Sequence, residues 1–182
     1  ETLIWTDVAL YSLQFIGAPL TFGLTLINEG ISLIGPNAPV NTPTGIFWMD
    51  KKGFYAYQGS VQPIPCSVHS YVFDDLNEDQ AFQVFGFLNK QFNEVGWFYC
   101  SGSSETIDRY VTYNYVDQTW AIGQLARTAW LDEGIANVPR AAGYDGTNNY
   151  IYSHETGFDD DGYPMDNVFI ESAEFDIGDG QE

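Results

Sequence analysis

A strand–turn–strand pattern recurs in this sequence and constrains its fold more than any other feature. The stretches "IWTDVALYSL" (residues 4–13) and "FWMDKKGFYAY" (residues 47–57) both contain an apolar residue, Trp, one spacer, Asp, a short turn and an aromatic strand. Trp5 and Trp48 occupy matching positions in the two copies. Strand-forming residues on both sides of a short polar turn are typical of a β-hairpin. We therefore predict two hairpins, with both tryptophans packed in the interior.

The second strand of the first hairpin alternates between two sets of side chains: Tyr11, Leu13 and Phe15 on one face, and Leu10, Ser12 and Gln14 on the other. The first set is wholly apolar or aromatic, and the second is mostly polar. Alternation with a period of two predicts a half-buried strand.

Two looser copies of the hairpin follow later in the chain. They are residues 110–123, with a turn at Val116, Asp117 and Gln118, and residues 150–158, with a turn at Ser153, His154 and Glu155. A spacing near 40 residues with several short strands is typical of propeller blades. The best single blade is predicted within residues 83–123, with strands at 84–88, 94–100, 109–115 and 119–123. Half of a β-sandwich, with hairpins of similar length, is the alternative.

These patterns predict an all-β fold of antiparallel, propeller-like blades in one domain spanning residues 1–182. A short connecting helix is predicted at residues 74–83, where Asn77 is the candidate N-cap. Residues 35–45 are rich in Pro and Asn and are predicted to form a loop. Because the chain starts with Glu1, directly before a strand-like run, we expect it to be a portion of a longer propeller.

The charge balance is strongly acidic, with 25 Asp and Glu against 6 Lys and Arg, a formal charge of −19. Lys51 and Lys52 form the only adjacent basic pair. Such a chain has no basic footprint for nucleic acid, whose binding draws on cations that neutralise phosphates. The acidity is consistent with simple solubility or a salt-adapted host, and also with a surface that must pass a polyanion without adhesion.

Cysteine usage and hydropathy give two further expectations. Cys66 and Cys100 lack metal-ligand spacing, and no secretory segment is present, so we predict that both are free thiols. No apolar run approaches the length that a membrane-spanning helix needs.

No arrangement of residues predicts catalysis. Cys66 and His69 are three residues apart, which on a strand places their side chains on opposite faces. His154 falls in a predicted turn, where we expect a solvated imidazole. Among the many acidic residues, no pair stands out as the two carboxylates of a glycosidase. We therefore predict no enzymatic activity and no cofactor.

An acidic loop contains Asp159, Asp160 and Asp161 between glycines. Oxygen-rich loops bind Ca²⁺, but this one lacks the spaced ligands and the distant Glu of an EF-hand. We predict a solvated turn and no metal site.

Several segments, in order, resemble the tail nozzle or tail tubular proteins of short-tailed bacteriophages. These segments are "ALYSLQFIGAPLTFG" (residues 9–23), "FWMDKKGFYAYQGSVQPIPCSV" (47–68), "YVFDDLN" (71–77), "EVGWFYCSGSSETIDRYVTYNYVDQTWAIG" (94–123) and "FIESAEFDIGDG" (169–180). The resemblance implies a virion protein with a β-propeller that assembles as a ring with other tail proteins, such as adaptor and fibre proteins. It implies a channel through which DNA leaves without specific binding, and it implies no catalytic residues.

Two other functions fit an all-β chain of this composition. One is a propeller glycosidase that uses carboxylates the sequence does not single out. The other is a carbohydrate- or receptor-binding module that uses exposed aromatic residues such as Trp120 and Trp130.

Overall fold

Four antiparallel sheets follow one another along the chain in the computed structural model, which describes residues 1–132, 134, 137–160, 162–165 and 168–170. Within each sheet the strands are hydrogen-bonded in chain order. The first sheet contains β1 (Thr2–Trp5), β2 (Ala9–Gly17) and β3 (Thr21–Glu29). The second contains β4 (Val40–Thr42), β5 (Gly45–Asp50), β6 (Gly53–Tyr57) and β7 (Val61–Ile64). The all-β prediction and the first two hairpins are therefore confirmed.

The third sheet contains β8 (Phe85–Asn89), β9 (Glu94–Tyr99), β10 (Arg109–Asn114) and β11 (Thr119–Gln124). These are the four strands predicted for residues 83–123, within one residue at each end. Asn114 closes the β10–β11 turn, because its side-chain oxygen accepts hydrogen bonds from the backbone N–H groups of Val116 and Asp117, each at 2.9 Å. Such side-chain bonds explain why Asn favours turns.

The fourth sheet contains β12 (Ala129–Leu131), β13 (Arg140–Tyr144) and β14 (Asn149–Ser153). The hairpin predicted at residues 150–158 is wrong. Residues 150–153 belong to β14, which pairs with the preceding strand, β13, and not with a strand that follows it. The turn lies at Asp145, whose carboxylate accepts hydrogen bonds from the N–H groups of Thr147 and Asn148, and at Gly146, where φ is +95°. The turn at Asp145 and Gly146 therefore separates β13 from β14, because Asp and Gly favour tight turns.

Each sheet packs face to face on the next sheet in the chain. Leu10 of the first sheet and Trp48 of the second share one apolar cluster. The opposite face of β5, with Phe47 and Met49, joins Trp97 of the third sheet in a larger cluster, the main core of the described chain. The other face of the third sheet meets Trp130 of the fourth. The two middle sheets are therefore covered on both faces.

The first strands of the last three sheets lie side by side, with β4 next to β8 and β8 next to β12. The approach of β4 to β8 requires a glycine at position 86. A Cβ there would lie 2.4 Å from Val40 Cγ2 and 2.6 Å from the Ala38 carbonyl oxygen. Trp97 ties the same region together, because its indole Nε1 donates a hydrogen bond to Ala38 O at 2.8 Å.

Short helices connect the second and third sheets. A 3₁₀ helix spans Glu78–Gln83, and Asn77 caps it by accepting a hydrogen bond from Asp79 N at 3.1 Å, so the predicted cap is confirmed. Residues 74–77 are not helical. An α-helix, α1, spans His69–Phe73, so His69 does not lie on a strand, contrary to the expectation for Cys66 and His69. Within the third sheet, Lys90–Phe92 forms a further 3₁₀ turn between β8 and β9.

Residues 35–45 also differ from the prediction of a plain loop, because they contain β4. No helix among the described residues is long and apolar enough to cross a membrane.

Candidate functional site

The outward face of the first sheet is an exposed apolar surface. The β2–β3 register places three pairs on this face: Tyr11 with Leu26, Leu13 with Leu24, and Phe15 with Phe22. Phe15 is 73 % exposed, whereas Leu10 and Ser12, on the opposite face, are buried against the second sheet. The predicted half-buried strand is confirmed, although its more polar face is the one turned inward.

Ser12 tolerates burial because its hydroxyl is satisfied. It donates a hydrogen bond to Glu1 Oε1 at 2.7 Å, and Tyr57 of the second sheet donates to the same oxygen at 2.9 Å. A hydrogen-bonded polar group costs far less to bury than an unpaired one.

The outward face of the fourth sheet is also uncovered among the described residues, and it carries exposed apolar side chains together with Arg140, Asn149 and Ser153. Leu131, Tyr144 and Ile151 lie on the face opposite to Trp130 and Ala141, and all three are more than half exposed. Both ends of the stack thus present the kind of surface that the middle sheets bury.

Charged side chains are confined to the strand ends and the connections. No described strand has an acidic residue in its interior, and the first strands β1, β4, β8 and β12 have no charged residue at all. Lys51 and Lys52 are exposed in the β5–β6 turn. Arg109 lies 3.5 Å from an Asp75 carboxylate oxygen. Since the strand faces are used for packing, the chain carries its charge at the turns.

A cavity of about 690 Å³ lies beside the first and second sheets and is lined by Trp5, Asp7, Ser32 and Lys51 among others. Ser32 donates a short hydrogen bond to Asp50 beside it. The Trp5 and Trp48 indole N–H groups are buried without a hydrogen-bond partner among the described residues.

The smaller cavity, of about 220 Å³, lies between the third and fourth sheets. Aromatic side chains form much of its wall, and two carboxylates, an amide and an imidazole also line it: Phe87, Phe98, Tyr110, Trp130, Asn89, Glu94, Glu155 and His154. We call it the inter-sheet cavity.

Asn89 and Glu94 face each other across the β8–β9 pair, and both line the inter-sheet cavity. Asn89 Nδ2 donates a hydrogen bond to Glu155 Oε1 at 2.9 Å. Its Oδ1 is buried without a hydrogen-bond partner among the described residues. The Asn89 amide nitrogen, and not its oxygen, faces Glu155, because an ionised carboxylate only accepts hydrogen bonds. Burial, and secondarily the Glu155 charge, raise the pKa of Glu94.

His154 is half-buried against the ring of Trp130, at 4.8 Å between centroids. Arg127 Nε donates to His154 Nε2 at 3.0 Å, and the Arg127 guanidinium lies 3.8 Å from the centroid of the Tyr152 ring. Burial, and secondarily the Arg127 charge, lower the pKa of His154 to about 4. The expected solvated imidazole is therefore wrong, because the fourth sheet folds this turn onto the third.

The structure keeps the other sequence candidates apart. His69 begins α1, stacks on Phe73 and lies 3.0 Å from Lys52 O through its Nε2. Cys66 and Cys100 are free thiols, as predicted, and burial raises the pKa of each to about 11. A thiol with a raised pKa is a poor nucleophile at neutral pH.

Of the acidic loop, Asp161 lies outside the described residues. Asp159 Oδ1 accepts a hydrogen bond from Gly162 N at 2.9 Å, and Asp160 is exposed. The described part of the chain contains no group of three or more His, Cys, Asp or Glu that is arranged for a metal ion.

Trp120 and Trp130 are half-buried rather than exposed. The Trp120 ring packs on Phe54 and its Nε1 donates to Pro65 O at 2.9 Å. The Trp130 ring packs on Phe87 and its Nε1 donates to Leu88 O at 2.9 Å. Both side chains join neighbouring sheets, so neither is a free platform for a sugar ring.

No model of a known protein family matches this chain, and no curated protein matches it.

The inter-sheet cavity was missed by sequence reasoning. Asn89 and Glu155 are 66 residues apart in the chain and meet only because the fourth sheet stacks on the third. The one local signal was Glu94 at a strand start, directly opposite Asn89.

Proposed function

We propose that this chain is a structural, non-catalytic protein of the tail of a short-tailed bacteriophage, where it forms part of the nozzle for DNA ejection. One observation carries the proposal: four antiparallel sheets stack face to face in chain order, and the first strands of three of them lie side by side. Sheets arranged in this way resemble the blades of a β-propeller. The ordered resemblance to tail nozzle proteins supplies the biological setting.

The exposed apolar side chains on the outward faces of the first and fourth sheets, uncovered by the described residues, support a larger wheel or ring. Monomeric proteins rarely leave large contiguous apolar surfaces in water, and such surfaces commonly mark interaction sites. The outward faces of the first and fourth sheets are where a further sheet would be added on either side. A head-to-tail contact between two different faces closes into a ring when the rotation allows it.

In this role the chain belongs to the virion, and its partners are further copies in a homo-oligomeric ring together with adaptor and fibre proteins. DNA passes through the assembly and is not bound specifically. Like charge between an acidic wall and DNA acts over about 8–10 Å at physiological salt. The acidic balance of the chain supports this passage, because each favourable phosphate contact would have to be broken as the genome moves.

The carbohydrate- and receptor-binding alternative loses the two tryptophans that suggested it, since both join sheets. Glu94 and Glu155, the carboxylates that share the inter-sheet cavity, are the pair that the structure offers to a glycosidase at this site. A panel of glycan hydrolysis and binding assays separates these alternatives. Turnover would favour the glycosidase, saturable glycan binding the receptor module, and neither the structural role.

The direct test is cryo-electron microscopy of native particles, with the chain identified by mass spectrometry. We expect the stacked sheets at the tail end, with acidic residues denser on the channel wall than on the outer surface. We also expect no salt-sensitive binding of double-stranded DNA at submicromolar protein concentration. A neutral or basic wall would contradict the conduit, and absence of the chain from particles would contradict the virion assignment.

A further inference from the structure

The inter-sheet cavity has the features of a built binding site. Asn89 is only 3 % exposed, and its Oδ1 has no hydrogen-bond partner among the described residues. A buried acceptor of this kind costs about 1–3 kcal/mol when it stays unsatisfied. The same residue lines the cavity and holds Glu155 beside it. The site therefore lacks a hydrogen-bond donor.

The described side chains that line the cavity include two carboxylates and no Lys or Arg. Glu94 and Glu155 both line it, and the Glu155 charge contributes to the raised pKa of Glu94. Arg127 does not line the cavity; its guanidinium lies over the Tyr152 ring and its Nε is bonded to His154. A ligand that carries positive charge would relieve the repulsion between the two carboxylates.

Much of the rest of the wall is aromatic, and this favours an organic cation over a metal ion. Phe98 and Trp130 line the cavity together, with ring centroids 6.3 Å apart. Aromatic faces attract organic cations through the ring quadrupole. The described residues contain no group of three or more His, Cys, Asp or Glu arranged for a metal ion, and a calcium ion takes six to eight oxygen ligands. A neutral polyol would bring no charge to offset that of the half-buried Glu94 carboxylate.

We propose that the inter-sheet cavity binds an organic ammonium group. The ammonium N–H groups donate to the Glu94 and Glu155 carboxylates and to Asn89 Oδ1, while the alkyl chain packs against the aromatic wall. The volume of about 220 Å³ is that of roughly seven water molecules, enough for a four-carbon amine. The group is either a free small amine or a lysine side chain of a partner protein. This site is independent of the structural role proposed above.

The test is a titration of the folded chain with n-butylammonium at pH 7, followed by NMR chemical shifts and Trp fluorescence. We expect saturable binding, with n-butanol, the neutral analogue, at least tenfold weaker. Glu155→Gln should weaken n-butylammonium binding at least tenfold. Glu29→Gln is the matched control, because it removes one exposed carboxylate from β3 of the first sheet, which is separated from this cavity by the second sheet, and should leave binding unchanged.

Glu94→Gln provides a second variant with the same expected loss if Glu155→Gln fails to fold. A short peptide with one internal lysine separates the two sources: tighter binding of the peptide than of n-butylammonium identifies a partner's side chain, and the reverse identifies a free amine. Either order supports the proposal. Equal binding of n-butanol, preferential binding of Ca²⁺ or of a monosaccharide, or no saturable response of the wild-type chain would overturn it.

Discussion

The two faces of the third sheet meet their neighbours in different ways. Toward the second sheet, Trp97 is fully buried, its ring lies 4.9 Å from Phe54 and its indole N–H is bonded. Toward the fourth sheet, Trp130 is half-buried beside a cavity that is lined by carboxylates and a half-buried imidazole. The first interface is apolar and closely packed, and the second, the open interface, is polar and contains a cavity. One sheet can therefore contribute stability on one face and a candidate binding site on the other.

The largest expected effect tests the packing between the second and third sheets. Truncating a buried Trp to Ala typically costs about 3–5 kcal/mol, and we expect this loss in the free energy of unfolding for Trp97→Ala, measured by chemical denaturation. Trp130→Ala is the matched variant at the open interface. Because Trp130 is half-buried, we expect a loss of about 1–2 kcal/mol. Equal losses would show that the two interfaces do not differ in packing.

The second prediction uses a single methyl group. Gly86→Ala places a Cβ against Val40 and the Ala38 backbone, so we expect a loss of about 1–3 kcal/mol from overpacking. Gly53→Ala is the control, because a Cβ there has no atom within 4 Å. Ala121→Val, at the cavity wall, should change stability by less than about 0.5 kcal/mol. A neutral Gly86→Ala would contradict the close approach of β4 to β8.

The third prediction concerns pH at the open interface. Burial and Arg127 lower the pKa of folded His154 to about 4, and a nearby Asp160 charge acts weakly in the other direction. Since an unfolded His titrates near pH 6.5, the unfolded chain binds more protons between about pH 4 and 6.5. The contribution of neutral His154 is therefore full above pH 6.5 and is lost as the pH falls toward 4.

His154→Gln should remove this component from the pH profile of the melting temperature. The measurement is the difference in melting temperature between wild type and variant, taken at steps from pH 8 to pH 4. The carboxylates titrate in both proteins, so their contribution cancels in the difference. A constant difference across that range would show that His154 is not held neutral at the interface.

The smallest expected effect uses the two thiols as reporters of the two interfaces. Cys66 packs against the cluster between the second and third sheets, and Cys100 is buried in the cluster toward the fourth. With a pKa of about 11, each thiol is ionised to only about one part in a thousand at pH 8. We expect alkylation in the folded chain to be at least tenfold slower than in denaturant, with half-buried Cys66 ahead of Cys100. A pair that stays unlabelled in denaturant would reveal a disulfide.

The sequence located β1, β2, β5, β6 and β8 to β11 with their turns, because a hairpin depends on neighbours in the chain. Period-two alternation and polar turns located the hairpins of β1–β2, β5–β6 and β10–β11. The helix α1 and the strands β3, β4, β7, β12 and β13 were not predicted, and the segments of α1 and β13, residues 69–73 and 140–144, have no strong period of their own. At such positions the packing of surrounding sheets outweighs local preference.

Only the tertiary structure decided which face of each strand is covered and which polar groups meet. Alternation shows that β2 has two different faces, but it does not reveal that Ser12 is turned inward, where its hydroxyl donates to Glu1 and Tyr57 of the second sheet donates to the same carboxylate. The same holds for Asn89 and Glu155, which are joined by stacking of separate sheets. Contacts between residues distant in the chain depend on how sheets assemble, and no local pattern in the sequence encodes that assembly.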